Sequence, residues 1–258
     1  MLSPFKSSGV DLRLTALYAE APGRGAVVRN LLLIKGSDLT WKLDAQGGGL
    51  TRIVLVAMAT GSGDQPLASM GRVYDVRIPP EKMGEAMRDG ALYTLDVPVP
   101  KRGAYQIRVA VKDQATGKTG SATQFLQIPD MKRTGFALSS VFLRDSLPSP
   151  DKPAMPEIAA ALRKFPRGGS IEFLCAVRQG HKKNVALETR VRLLRDGKEV
   201  YAAPVSMGEL KGVGPVIFGG LNLGGVTPGD YDLQVIATDR NGGKGAAAGQ
   251  WTNFTVLP

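Results

Sequence analysis

Gly103-Ala104-Tyr105-Gln106-Ile107-Arg108-Val109-Ala110-Val111-Lys112-Asp113 aligns without gaps on Gly229-Asp230-Tyr231-Asp232-Leu233-Gln234-Val235-Ile236-Ala237-Thr238-Asp239. Gly, Tyr, Val and Asp recur at matched positions, and an aliphatic residue follows each Tyr by two. Tyr105, Ile107, Val109 and Val111 alternate with Gln106, Arg108 and Lys112, the period of a strand with one face in a core and one in water. At the same offset of 126, Leu95-Asp96-Val97 matches Leu221-Asn222-Leu223. Upstream, Thr51-Arg52-Ile53-Val54-Leu55 matches Thr189-Arg190-Val191-Arg192-Leu193 at an offset of 138, which implies a 12-residue insertion in the first copy between about 61 and 90. The chain therefore reads as one unit used twice.

Each copy reads as β. Leu12, Leu14, Ala16 and Tyr18 alternate with Arg13 and Thr15, and Ile171, Phe173 and Cys175 share a face. Arg195-Asp196-Gly197-Lys198 joins two such runs, and Asp-Gly favours a two-residue hairpin because both central residues need positive φ. Gly48-Gly49 and Gly224-Gly225 mark further strand ends. Two short stretches read as helix: 80–88, broken by Gly84, and 156–164, ended by Pro166. Many short strands with closely spaced turn signals predict an all-β chain of two tandem Ig-like (fibronectin-like) antiparallel β-sandwich domains, 1–130 and 131–258, with one or two short helices and a linker at 129–135. Gly103 with Tyr105, and Gly229 with Tyr231, read as a tyrosine corner: glycine turns the chain, and the ring is buried while its hydroxyl reaches a nearby loop carbonyl.

The composition narrows the chemistry. The 258 residues are 43% hydrophobic and 22% charged, an ordinary globular balance. The longest ungapped apolar run, 53–59, falls far short of the roughly 18 residues of a membrane helix. One histidine, His181, and one cysteine, Cys175, exclude a two-histidine or cysteine-rich metal site and any internal disulfide. Gly117-Lys118-Thr119 lacks the first glycine of a phosphate loop, and a strand follows where a helix is required. His181 lies in a loop beside Lys182 and Lys183, and Cys175 on an apolar strand face, so no nucleophilic triad forms between them. Asp113 and Asp239 end matched strands and read as chain-turning residues. Trp41 shares a face with Leu39 and Leu43 and reads as core; Trp251 is open to either core or surface. The net charge of +10 is scattered and comes with few aromatics, which suits an anionic partner surface better than specific nucleic-acid binding. No catalytic, metal or cofactor-binding residue is expected. The exposed candidates for an interaction surface are His181, Lys182, Lys183 and Trp251.

The first repeat motif, running on through Thr116-Gly117-Lys118-Thr119-Gly120-Ser121 to Ile128-Pro129-Asp130, resembles the region after the A domain in acidobacterial von Willebrand factor type A-related proteins. Ser3-Pro4-Phe5 with Leu12-Arg13-Leu14-Thr15, and Phe136-Ala137-Leu138-Ser139-Ser140, are similar to the same tail. The resemblance implies the accessory C-terminal part of a larger exported protein. The family's Asp-x-Ser-x-Ser metal motif is absent: Asp145-Ser146-Leu147-Pro148-Ser149 has Leu147 where the first serine belongs.

The expectation is thus a non-enzymatic, extracytoplasmic protein-interaction or spacer module without cofactor. It would be secreted or in the cell envelope, with a protein or anionic envelope surface as partner. Alternatives are a carbohydrate or cell-wall binding module using exposed aromatics, and a hydrolase with its site between the modules. The start, Met1-Leu2-Ser3-Pro4-Phe5-Lys6, has no signal-peptide h-region. As a native start it places the chain in the cytoplasm; as the start of an excised segment it leaves the address upstream.

Overall fold

The computed structural model describes residues 7–21, 25–61, 66–99, 102–129, 135–145, 161, 163–179, 186–241 and 247–258. The chain divides into two compact units, Met1–Gln127 and Ile128–Pro258.

The first unit holds β1 (Leu12–Ala21), β2 (Gly25–Ile34), β3 (Lys42–Leu43), β4 (Gly49–Thr60), β5 (Pro66–Ile78), α1 (Pro80–Asp89), β6 (Ala91–Pro98), β7 (Gly103–Asp113) and β8 (Thr119–Ile128). One sheet runs β1-β2-β6; the other runs β8-β7-β4-β5, with short β3 also on β4. In immunoglobulin lettering this is A-B-E facing G-F-C-C′. Val28, Leu32, Ile53, Leu55, Tyr105, Ile107 and Val109 bury the inner faces. Helix α1 starts on Pro80, whose fixed φ suits a first turn, and runs through Gly84 to Asp89. The expected break at Gly84 does not occur, since one interior glycine costs only about 1 kcal/mol.

The second unit holds β9 (Phe136–Leu138), β10 (Phe142–Asp145), β11 (Lys164–Pro166), β12 (Ser170–Gln179), β13 (Leu187–Arg195), β14 (Lys198–Pro204), β15 (Ser206–Leu210), β16 (Gly214–Asn222), β17 (Gly229–Asp239) and β18 (Ala247–Leu257). Its sheets run β10-β12-β16-β15, with β9 also on β12, and β11-β18-β17-β13-β14. This is A-B-E-D facing G-F-C-C′, with β11 lying parallel to β18. The core joins Phe165, Ile171, Phe173 and Cys175 to Val191, Ile217, Leu233, Val235 and Phe254. Asp196 and Gly197 both take positive φ, as their hairpin requires. The all-β, Ig-like reading thus holds in both units.

Three further expectations are corrected. Lys164, placed at the end of a helix over 156–164, begins strand β11, because Phe165 buries its ring by pairing β11 with β18; residues 156–160 lie outside the described residues. The second copy's first apolar stretch, Phe136 to Leu143, reads in sequence as one run but forms two short strands, β9 and β10. The third correction concerns register. Ile53 pairs with Asp113 and Ala59 with Ile107, while Leu187 pairs with Asp239 and Leu193 with Leu233. Ile53 is therefore equivalent to Leu187 and Ala59 to Leu193, and the Thr51/Thr189 match slips by four residues. An even slip keeps every side chain on its own face, so alternation alone cannot detect it. The extra length of the first unit lies in its 13-residue β5, against the seven residues of β14, and in α1, which stands where the second unit has five-residue β15.

Candidate functional site

Both repeated tyrosines follow a glycine turn. Gly103 and Gly229 take φ of 138° and 141°, a region closed to most side chains. Each turn delivers a tyrosine into the core, Tyr105 and Tyr231 both being buried. Tyr231 Oη donates to Thr227 O at 2.8 Å, and the ring stacks on Phe254. Arg195 closes the corner: its guanidinium lies over the Tyr231 ring and donates to Thr227 Oγ1 and Tyr231 Oη. Leu193, Val200, Tyr201, Leu221 and Val226 wall a cleft of about 510 Å³ beside this cluster.

Asp113 and Asp239 both turn the chain, each accepting from the amide two residues on, Ala115 and Asn241, at 2.9 Å. Asp113 is the buried one, and it also accepts from the Thr40 amide and hydroxyl and from the Thr116 hydroxyl. Burial pushes its pKa up, but these hydrogen bonds outweigh it and hold the carboxyl below the ordinary range. Burial drives the Cys175 thiol up to about 12, and it donates to Ser139 O at 2.9 Å. Among the described residues, no three His, Cys, Asp or Glu side chains converge as a metal site would require. No described helix is long and apolar enough to cross a membrane.

Of the surface candidates, His181, Lys182 and Lys183 lie outside the described residues, as do 146–149 of the string compared with the metal motif and 130–134 of the linker. Trp251 stands on β18 with 68% of its surface exposed. Trp41 is only partly buried, its Nε1 donating to Gly36 O at 2.8 Å, and Leu43 is 65% exposed. The shared face expected of Leu39, Trp41 and Leu43 fails because regular strand here is only two residues long.

Two surfaces escaped the sequence reading. On the β10-β12-β16-β15 sheet, Phe142, Leu174, Val216, Phe218 and Leu210 lie on the face away from the core and line a shallow groove of about 860 Å³. The Arg144–Glu172 ion pair borders it. In the first unit, Phe125 on β8 is 75% exposed. Extending the 126-residue alignment pairs Gln124-Phe125 with Gln250-Trp251, so the second surface was within reach of the sequence.

The structure thus defines a chain of two Ig-like antiparallel sandwich units. No family model and no curated protein matches it. Among solved structures it is similar to the D0-D1 domain of intimin, with a TM-score of 0.40 and 12% identity over 96% of this chain and 98% of that one. A likeness that distant says nothing of what this chain binds.

Proposed function

We propose that the chain is a non-catalytic, extracytoplasmic interaction or spacer module, the accessory C-terminal part of a larger exported protein of the von Willebrand factor type A-related kind. The observation that carries this reading is the groove on the outer face of β10-β12-β16-β15. An antiparallel sheet with one face in the core ordinarily turns polar side chains to water on the other. Here Phe142, Leu174, Val216 and Phe218 occupy that outer face, and Phe218 is 44% exposed. Edge strand β15 borders the groove and, among the described residues, is paired on one side only. An extended polypeptide segment can add main-chain hydrogen bonds at such an edge while its side chains enter the groove.

Fractionation of source cells, with an antibody against this chain, tests the location. The expected result is a band larger than 27.4 kDa in the envelope or secreted fraction. A cytosolic band of that size overturns the reading. A photo-crosslinking residue at Phe218 tests the surface: adducts to an envelope protein are expected there and not from Thr238 on the opposite sheet.

A further inference from the structure

The last strand of each unit carries an outward aromatic at the same place. Phe125 and Trp251 stand 126 positions apart, as Tyr105 and Tyr231 do, and both are largely exposed. Single exposed apolar side chains are ordinary. A large ring kept out of the core at the same point of both copies is not explained by packing, since Leu126 and Thr252, the next residues, turn inward and are buried.

The surroundings of Trp251 indicate what it meets. Across the ladder it faces Gln234 on β17, and Gln234 faces Arg192 on β13. Arg192 donates to Gln234 Oε1 at 3.2 Å and pairs with Glu199 on β14. Indole, carboxamide and guanidinium thus form one row across three strands, and the ion pair carries it to the Glu199 carboxylate on β14, which lies off that row opposite Leu194. In the next row Arg163 donates to Asn253 Oδ1 at 2.6 Å, beside Asp232. On the other side Gly249 contributes no side chain that could cover the ring.

A flat aromatic beside flat hydrogen-bonding groups suits a pyranose: its C–H face stacks on the ring and its hydroxyls meet the amide, guanidinium and carboxylate. Charge selects a neutral ligand. Although the chain carries +10, this face sets Arg163, Lys164, Arg190, Arg192 and Arg240 against Glu188, Glu199, Asp230 and Asp232, with Glu188 paired to Arg240 and Glu199 to Arg190 and Arg192, so little net charge is left to attract a polyanion.

We propose that this face binds a neutral polysaccharide lying across β18, β17, β13 and β14, with a sugar stacked on Trp251, and that Phe125 is the equivalent platform of the first unit. The inference is independent of the polypeptide groove, which lies on the other sheet.

The test is affinity electrophoresis of the full chain in native gels containing hydroxyethyl cellulose, laminarin or galactomannan. At least one polymer is expected to retard the wild type. Trp251→Ala should weaken that binding about tenfold or more, the scale of a lost aromatic anchor, Trp251→Phe should keep most of it, and Phe125→Ala should weaken it less. In Trp41→Phe, whose one remaining tryptophan is Trp251, the same polymer should shift the fluorescence. No retardation by any of the three overturns the proposal. So does equal retardation of Trp251→Ala with an unchanged circular dichroism spectrum, or retardation by heparin alone.

Discussion

Gln124 and Gln250, 126 positions apart, do the same task in the two units: each reaches from the last strand to the backbone of the first. The Gln124 carboxamide accepts from Ala16 N–H at 2.8 Å and donates to Ala16 O at 3.0 Å. It satisfies an edge-strand peptide group as a neighbouring strand would. Gln250 donates to Leu138 O at 3.3 Å. Because β1 and β8 are edges of different sheets, and β9 and β18 belong to different sheets with β11 covering only Thr255–Leu257 of β18, the side chain ties one layer to the other and caps part of an open edge.

Gln124→Ala should therefore destabilise the first unit by about 2–3 kcal/mol, with two hydrogen bonds lost and the Ala16 peptide left unpaired. Gln250→Ala should cost the second unit about 1 kcal/mol, one longer bond being lost. Urea titrations of the two variants check the ordering; an equal or reversed effect refutes the tie as described.

Tyr231→Phe keeps the ring on Phe254 but removes the hydroxyl that donates to Thr227 O and accepts from Arg195. A loss of about 1–2 kcal/mol is expected, with no change in the far-ultraviolet circular dichroism spectrum. Thermal unfolding of the variant checks it, and a wild-type midpoint would show that the hydroxyl does not secure the corner.

Alternation made the inner faces legible in the sequence: Tyr105, Ile107, Val109 and Val111 are all buried, as are Ile171, Phe173 and Cys175. Asp196-Gly197 gave its hairpin because few other pairs tolerate positive φ twice. What alternation could not give was register, which slipped by four residues in β4, or the fate of Lys164. That residue follows a helix-like composition, yet it is in strand because Phe165 needs a core to enter. The candidate surfaces were less legible. Trp251 reads either as core or as surface, since neither neighbour in sequence tells which face of its strand it takes. The groove at Phe218 draws on four strands and exists only once they are assembled.

The Asp113 carboxylate should make the first unit acid-sensitive. Its folded pKa is depressed by the hydrogen bonds from Thr40, Ala115 and Thr116, which outweigh its burial. Its contribution is therefore fully present above the unfolded value, about 3.9, and is lost as pH falls through the lower folded value. Asp113→Asn should cost about 2–3 kcal/mol near neutral pH, the scale of charge-assisted bonds lost, and should flatten the acid limb of stability against pH. Urea midpoints from pH 7 down to pH 3 check both; a variant whose midpoint falls with acid as steeply as the wild type refutes the assignment.

Cys175 should shape the alkaline limb of the second unit. The thiol is fully enclosed on β12 and donates to Ser139 O, and burial raises its pKa to about 12. The unfolded thiol ionises near 8.5, so between that value and about 12 the native state keeps a proton that the unfolded state has released. Stability from this group is thus complete below the unfolded pKa and declines as pH rises toward the folded one. Since the thiolate is the reactive species, a disulfide reagent at pH 8 should leave the native chain unlabelled and label it once urea unfolds it. Cys175→Ala removes the titration, so its stability between pH 8 and pH 10 should fall less steeply than that of the wild type. Rapid labelling of the native chain, with its circular dichroism intact, would mean that the strand opens locally at Cys175, and the enclosure that raises the pKa would not hold in solution.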